Sequence, residues 1–132
     1  MGEGIVSTKR PSHRELTRKL RAAGRLLDSG CWAPADPSKL AADFDELGLF
    51  TGEEQEAALR AAVAEGEPED YVGGRPPERS YEPATPGAEL WAFAWRSHYF
   101  GRGMYFKFSI WGSGAVQRLF VYPLHPLRKR AR

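Results

Sequence analysis

The sequence lacks most of the residue patterns that announce a chemistry. Its one cysteine, Cys31, permits no internal disulfide and points to a reducing compartment. No apolar run approaches the ~20 residues of a membrane span, and Met1 to Ser12 lacks the apolar centre of a signal peptide. A cytoplasmic chain with no membrane partner is expected. There is no Walker loop, no GxGxxG, no cysteine pair and no HExxH, so no cofactor or metal is called for. His13, His98 and His125 stand far apart, and the final 42 residues contain no carboxylate at all. A Ser/His/Asp triad in that stretch would lack its acid, and no nucleophile elbow is present.

What is present is sharply divided by charge. Met1 to Leu26 carries a net +5, Leu27 to Leu90 a net −11, and Trp91 to Arg132 a net +8. The acid-free end should attract polyanions, with the acidic middle either placed elsewhere or screening it. At 132 residues the chain is expected to form one domain, 1–132. Its parts are a helical region over 12–66, a loop over 67–87, an antiparallel sheet over 89–125 and a basic tail over 127–132.

Helix signals crowd the first half. Ser12-His13-Arg14-Glu15 has the form of a capping box, followed by Leu16, Leu20, Ala23 and Leu27 at helical spacing and a basic remaining face. Asp36-Pro37 starts a second helix, which Gly48 stops. Thr51-Gly52-Glu53-Glu54 caps a third, closed by Gly66. Glu67 to Gly87 holds five prolines and three glycines, the composition of a loop with a short ordered piece near Tyr71-Val72.

From Glu89 onward the pattern changes to three antiparallel strands. Along Met104 to Ile110, residues two apart share a face. Met104, Phe106, Phe108 and Ile110 therefore face a core, while Tyr105, Lys107 and Ser109 face the other way. Trp91, Trp95, Phe100 and Trp111 are expected to pack in the core or on the sheet. On the last strand Leu119 and Val121 face one side and Arg118, Phe120 and Tyr122 the other. Simple alternation puts His125 with the apolar set unless Pro123 bulges the strand. The fold class is α+β, helices first and sheet second.

A cationic, aromatic surface bearing Tyr105, Lys107, Arg96, Arg102, His98, Arg118 and His125 suits RNA cleavage without metal. That reaction needs a base for the ribose 2′-OH, cations for the crowded phosphorane, and an acid for the departing 5′-oxygen. Lysine and arginine can hold phosphate, histidine or tyrosine can move protons, and aromatic faces can stack bases. The same inventory would serve a noncatalytic module that binds nucleic acid or, through the acidic Asp28 to Glu89 region, a protein partner.

Several separated segments resemble the MqsR toxins of bacterial toxin-antitoxin systems, relatives of the RelE-like ribonucleases. Arg10-Pro11-Ser12-His13 is similar to the family's opening, Asp45 to Leu49 (DELGL) to a run at the corresponding place, and Asp70-Tyr71-Val72 to a segment before the sheet. Between Leu90 and Ile110, Trp91, Arg96, Tyr105 and Lys107 fall at matching positions without a gap. The resemblance implies a RelE-like α+β fold, cofactor-free endoribonuclease (mRNA interferase) activity and neutralisation by a cognate antitoxin. It also implies that Tyr105 occupies a catalytic position. The chain departs from the family at Ala92 and Gly73, where a functional Gln and Lys are expected, and at His125, which stands for a late Lys. A histidine there can do acid or base work near neutrality. The expected machinery is Tyr105, His125 and Lys107 at the centre, with Arg96, Arg102, His98 and Arg118 toward RNA and no metal.

Overall fold

A computed structural model describes residues 10–128. The N-terminal leader and the end of the basic tail, 129–132, lie outside the described residues. Helix α1 (His13–Asp28) is followed by strand β1 (Trp32–Pro34), helices α2 (Pro37–Leu47) and α3 (Gly52–Glu65), then β2 (Trp91–Ser97), β3 (Arg102–Trp111) and β4 (Arg118–Pro126).

The caps behave as their residues dictate. The Ser12 hydroxyl accepts from the Glu15 amide, only half of the box expected there, and the Asp36 carboxylate from Lys39, while Thr51 and Glu54 close a full reciprocal box. Gly48 ends α2 at φ 74°, a left-handed position open to glycine at little cost. Leu16, Leu20, Ala23 and Leu27 form the buried stripe of α1, and Ala58, Leu59, Ala62 and Val63 that of α3.

The sheet has four strands in the order β1-β4-β3-β2 and is mixed. This corrects the all-antiparallel expectation: β2, β3 and β4 pair antiparallel, but β1 runs parallel to β4. Trp32-Ala33-Pro34 is too short, and too near a proline, to read as a strand. It pairs because the Leu119 amide donates to the Cys31 carbonyl and the Ala35 amide to Val121. Phe93, Trp91, Phe106, Phe108, Leu119, Val121 and Leu124 line the inner face beneath the helices, each at most 1 % exposed. Burying side chains of this size is worth about 1.5–3 kcal/mol apiece. Trp91 and Trp95 are core, Phe100 packs at its margin, and Trp111, expected to pack, is 37 % exposed at the far end of β3. Ile110 is only half-buried. Among the described residues no helix is long and apolar enough to cross a membrane.

Glu65, at the end of α3, fastens the helical layer to the β2–β3 hairpin. It accepts from Trp95 Nε1 at 2.8 Å, Ser97 Oγ at 2.6 Å and the Tyr99 amide at 2.8 Å. Burial pushes its carboxyl up, but these bonds together outweigh burial and hold it below the ordinary value of 4.5. A carboxyl lowered in the folded state adds stability above its unfolded pKa and loses it as pH falls through the folded one. Glu65→Ala should therefore cost about 2 kcal/mol at neutral pH in urea unfolding. The gap to the wild type should narrow as the pH drops below 4.5; a gap independent of pH would contradict the ionised role.

Candidate active site on the outer face of the sheet

The outer face is organised by an irregularity in β4. Phe108 pairs with Val121 and Phe106 with Leu124, so two steps along β3 match three along β4. The extra residue lies in the Tyr122-Pro123 segment, where proline has no amide to give to a ladder. The Leu124 amide donates to the Asp43 carboxylate of α2 at 3.0 Å. The bulge reverses the alternation: Leu119, Val121 and Leu124 are all buried inward, and His125 comes out on the open face. The parity that assigned His125 to the apolar set is thus resolved by the bulge that Pro123 allowed.

His125 is the cross-strand partner of Tyr105, which pairs on its other side with Ala94. The two rings stack with centroids 5.4 Å apart and planes at 26°. Nδ1 of His125 lies 2.8 Å from the Pro126 carbonyl oxygen. That oxygen can only accept, so Nδ1 carries the hydrogen and the neutral ring keeps its lone pair on Nε2. Lys107, two residues along β3, shares the face and lies half-buried like Tyr105. Burial, and then the charge of Glu78, push the Tyr105 phenol above its ordinary 10.0, so it holds its proton and acts as a donor.

The remaining predicted residues divide. Arg96 is exposed, two residues along β2 from Ala94, and lines a shallow cavity with His98 in the hairpin turn. Arg102 pairs with Ser97 at that end of the sheet, and Glu46 of α2 feels its charge. Arg118 pairs with Trp111, six residues along β3 from Tyr105. At about 3.4 Å per residue that is about 20 Å, which removes Arg118 from the site. The basic helix α1 lies across the sheet from it: Lys19 Nζ sits over the inward-facing Trp91 ring at 5.2 Å.

Two features escaped the sequence. First, the segment between α3 and β2 is tied down well beyond the short ordered piece expected near Tyr71-Val72, which does form. Pro68–Asp70 forms a 3-10 turn, Tyr71 bridges to Phe93, and Arg79 bridges to Glu89. Over the outer face Thr85 Oγ1 meets the Tyr122 hydroxyl at 2.5 Å, Tyr122 meets Ser109 Oγ at 2.9 Å, and Ser80 meets Thr85 at 3.0 Å. Ser109, expected on an open face, is therefore fully buried. Second, the surface is not free of acid. A cavity of about 420 Å³ lined by Lys107, His125, Tyr122, Asp43 and Glu82 shares Lys107, Tyr122 and Glu82 with another of about 600 Å³, which Glu78 also lines. The acidic middle of the chain rims the site instead of sitting apart from it. Alternation along β4 put Tyr122 on the outward side, but nothing in the local pattern around Asp43 or Glu82 signals either contact.

Tyr122→Phe keeps the ring and removes both hydroxyl bonds, which should cost about 1–2 kcal/mol. It should also speed hydrogen exchange of the Ser80 and Gly87 amides while leaving helical amides at the global rate; unchanged loop exchange would show that the hydroxyl does not pin the segment. Near-ultraviolet difference titration against Tyr105→Phe should find the Tyr105 phenol ionising above 10.0, and ionisation below that value would contradict its burial. Scans against protein-family models, curated proteins and solved structures each return no match to this chain.

Proposed function

We propose that this chain is a toxin-like, metal-independent endoribonuclease that cuts single-stranded RNA by attack of the ribose 2′-OH. The observation that carries this is the row in which the bulge of β4 sets His125 against Tyr105, next to Lys107, on the face that the helices leave open. His125 Nε2 takes the 2′-OH proton, the 2′-oxygen bonds to phosphorus, and the bond from phosphorus to the 5′-oxygen breaks. The Tyr105 hydroxyl gives its proton to that leaving oxygen and recovers one from the imidazolium. The Lys107 ammonium offsets the charge of the phosphorane. Arg96 and Arg102 lie along the path toward the hairpin, with His98 beside them, as contacts for flanking phosphates. The resemblance to the MqsR toxins supports the same activity and adds an antitoxin partner and a cytoplasmic setting. His125 takes the place of the family's late lysine, while the Gln and Lys expected at Ala92 and Gly73 have no counterpart.

A noncatalytic reading is favoured by one observation: Glu78, Glu82 and Asp43 rim the cavities and oppose an incoming phosphate. The face would then take a protein partner, and RNA would be recovered intact without salt-dependent binding.

Purified protein in EDTA should cut single-stranded RNA and leave 2′,3′-cyclic phosphate ends. Tyr105→Phe and His125→Ala should each lower the rate at least ~100-fold, whereas Arg118→Ala should change it little. Full activity in both variants would remove the assignment, and intact RNA throughout would favour the binding module.

A further inference from the structure

The cleft between the tied-down loop and the outer face has chemistry that the cleavage steps leave unused. Its volume, about 600 Å³, lies within the ~300–1,000 Å³ range of small-molecule sites. Tyr81 stands on its rim with 99 % of its surface exposed, the most exposed large apolar side chain described. Its support is rigid: neighbouring Ser80 is buried, the Ser80 amide donates to Ala88, and the Gly87 amide returns to Ser80. Gly87 takes φ 79° to make that turn. An aromatic ring with nothing packed on it, carried on a loop whose backbone is tied, offers a free stacking face.

The cleft also sorts the parts of a nucleotide. Lys107 lines both cavities and marks the place for a phosphate. Glu78 and Glu82 would repel a phosphate, so the group they accept must carry N–H donors instead. Among the described residues neither takes part in a salt bridge. Guanine presents N1–H and its exocyclic amine side by side, which suits a two-oxygen acceptor. Uracil flanks its single N–H with two carbonyl oxygens that a carboxylate repels.

Resting on the ribonuclease reading, we infer that this cleft is a nucleobase subsite, where Tyr81 stacks on the base and Glu78 and Glu82 accept from its amino edge, favouring guanine over uracil. The base lies to one side of Lys107 and the scissile phosphate to the other, toward His125.

Binding of guanosine 3′-monophosphate and uridine 3′-monophosphate to the full chain, followed by NMR titration, tests this without any cleavage. The guanosine nucleotide should bind at least ~5-fold tighter, the lower end of what a good paired contact discriminates. Tyr81→Ala should weaken both about tenfold; the ring buries nothing, so the variant should keep its fold. Glu78→Gln with Glu82→Gln should abolish the preference. Equal binding of the two nucleotides, absence of binding, or indifference to Tyr81→Ala would overturn the subsite. Selective binding by a protein that leaves RNA intact would retain the subsite and remove the nuclease, whereas cleavage with unselective binding would do the reverse.

Discussion

A single residue inserted into β4 decides which side chains this sheet shows to solvent. Side chains alternate strictly along a strand, so without the bulge His125 would follow Leu119 and Val121 into the core. An imidazole there would need a buried partner, and Leu124 would be turned out to water. With it, Leu124 is buried and His125 meets Tyr105. The bulge is stable because both of its backbone problems are answered: Pro123 has no amide to leave unpaired, and the Leu124 amide reaches Asp43 on α2. The helix that covers β4 on one face thus sets the chemistry of the other.

The charge distribution follows from the same arrangement. Lys107 of β3 and Arg96 of β2 share the parity of the open face, Arg102 stands at the hairpin end on the other parity, and the acidic loop and α2 border Lys107. Lys107 therefore sits in a mixed field, with Glu82 on the same cavity walls. Such a site suits a ligand that is anionic at one place and rich in hydrogen-bond donors at another, as a nucleotide is. A uniformly positive strip would bind any polyanion; alternating signs impose orientation.

Much of this was legible in the sequence, and for local reasons. Ser12, Asp36, Thr51, Gly48 and Gly66 report their own caps, because capping depends on residues three or four apart. The Met104-Phe106-Phe108 alternation reports its own inward face, and through it the outward placement of Tyr105 and Lys107. What stayed hidden depends on distant partners. β1 exists because Leu119 and Val121 supply hydrogen bonds to a segment with no strand pattern of its own. The composition of the loop before β2 pointed to order only near Tyr71-Val72, yet its later part is held by the Tyr122 hydroxyl on β4, 37 residues from Thr85. The Asp43 contact spans 81 residues. Pro123 was a visible warning that alternation fails near His125, although proline alone did not say in which direction.

The account depends on His125 emerging beside Tyr105 and not beneath the sheet. Nuclear Overhauser contacts of the His125 ring protons in the folded protein measure this directly. The bulged register predicts contacts to the Tyr105 ring on the neighbouring strand β3. Contacts instead to Phe106 and to the buried side chains of α2 would put the imidazole on the inner face, and the site would not exist.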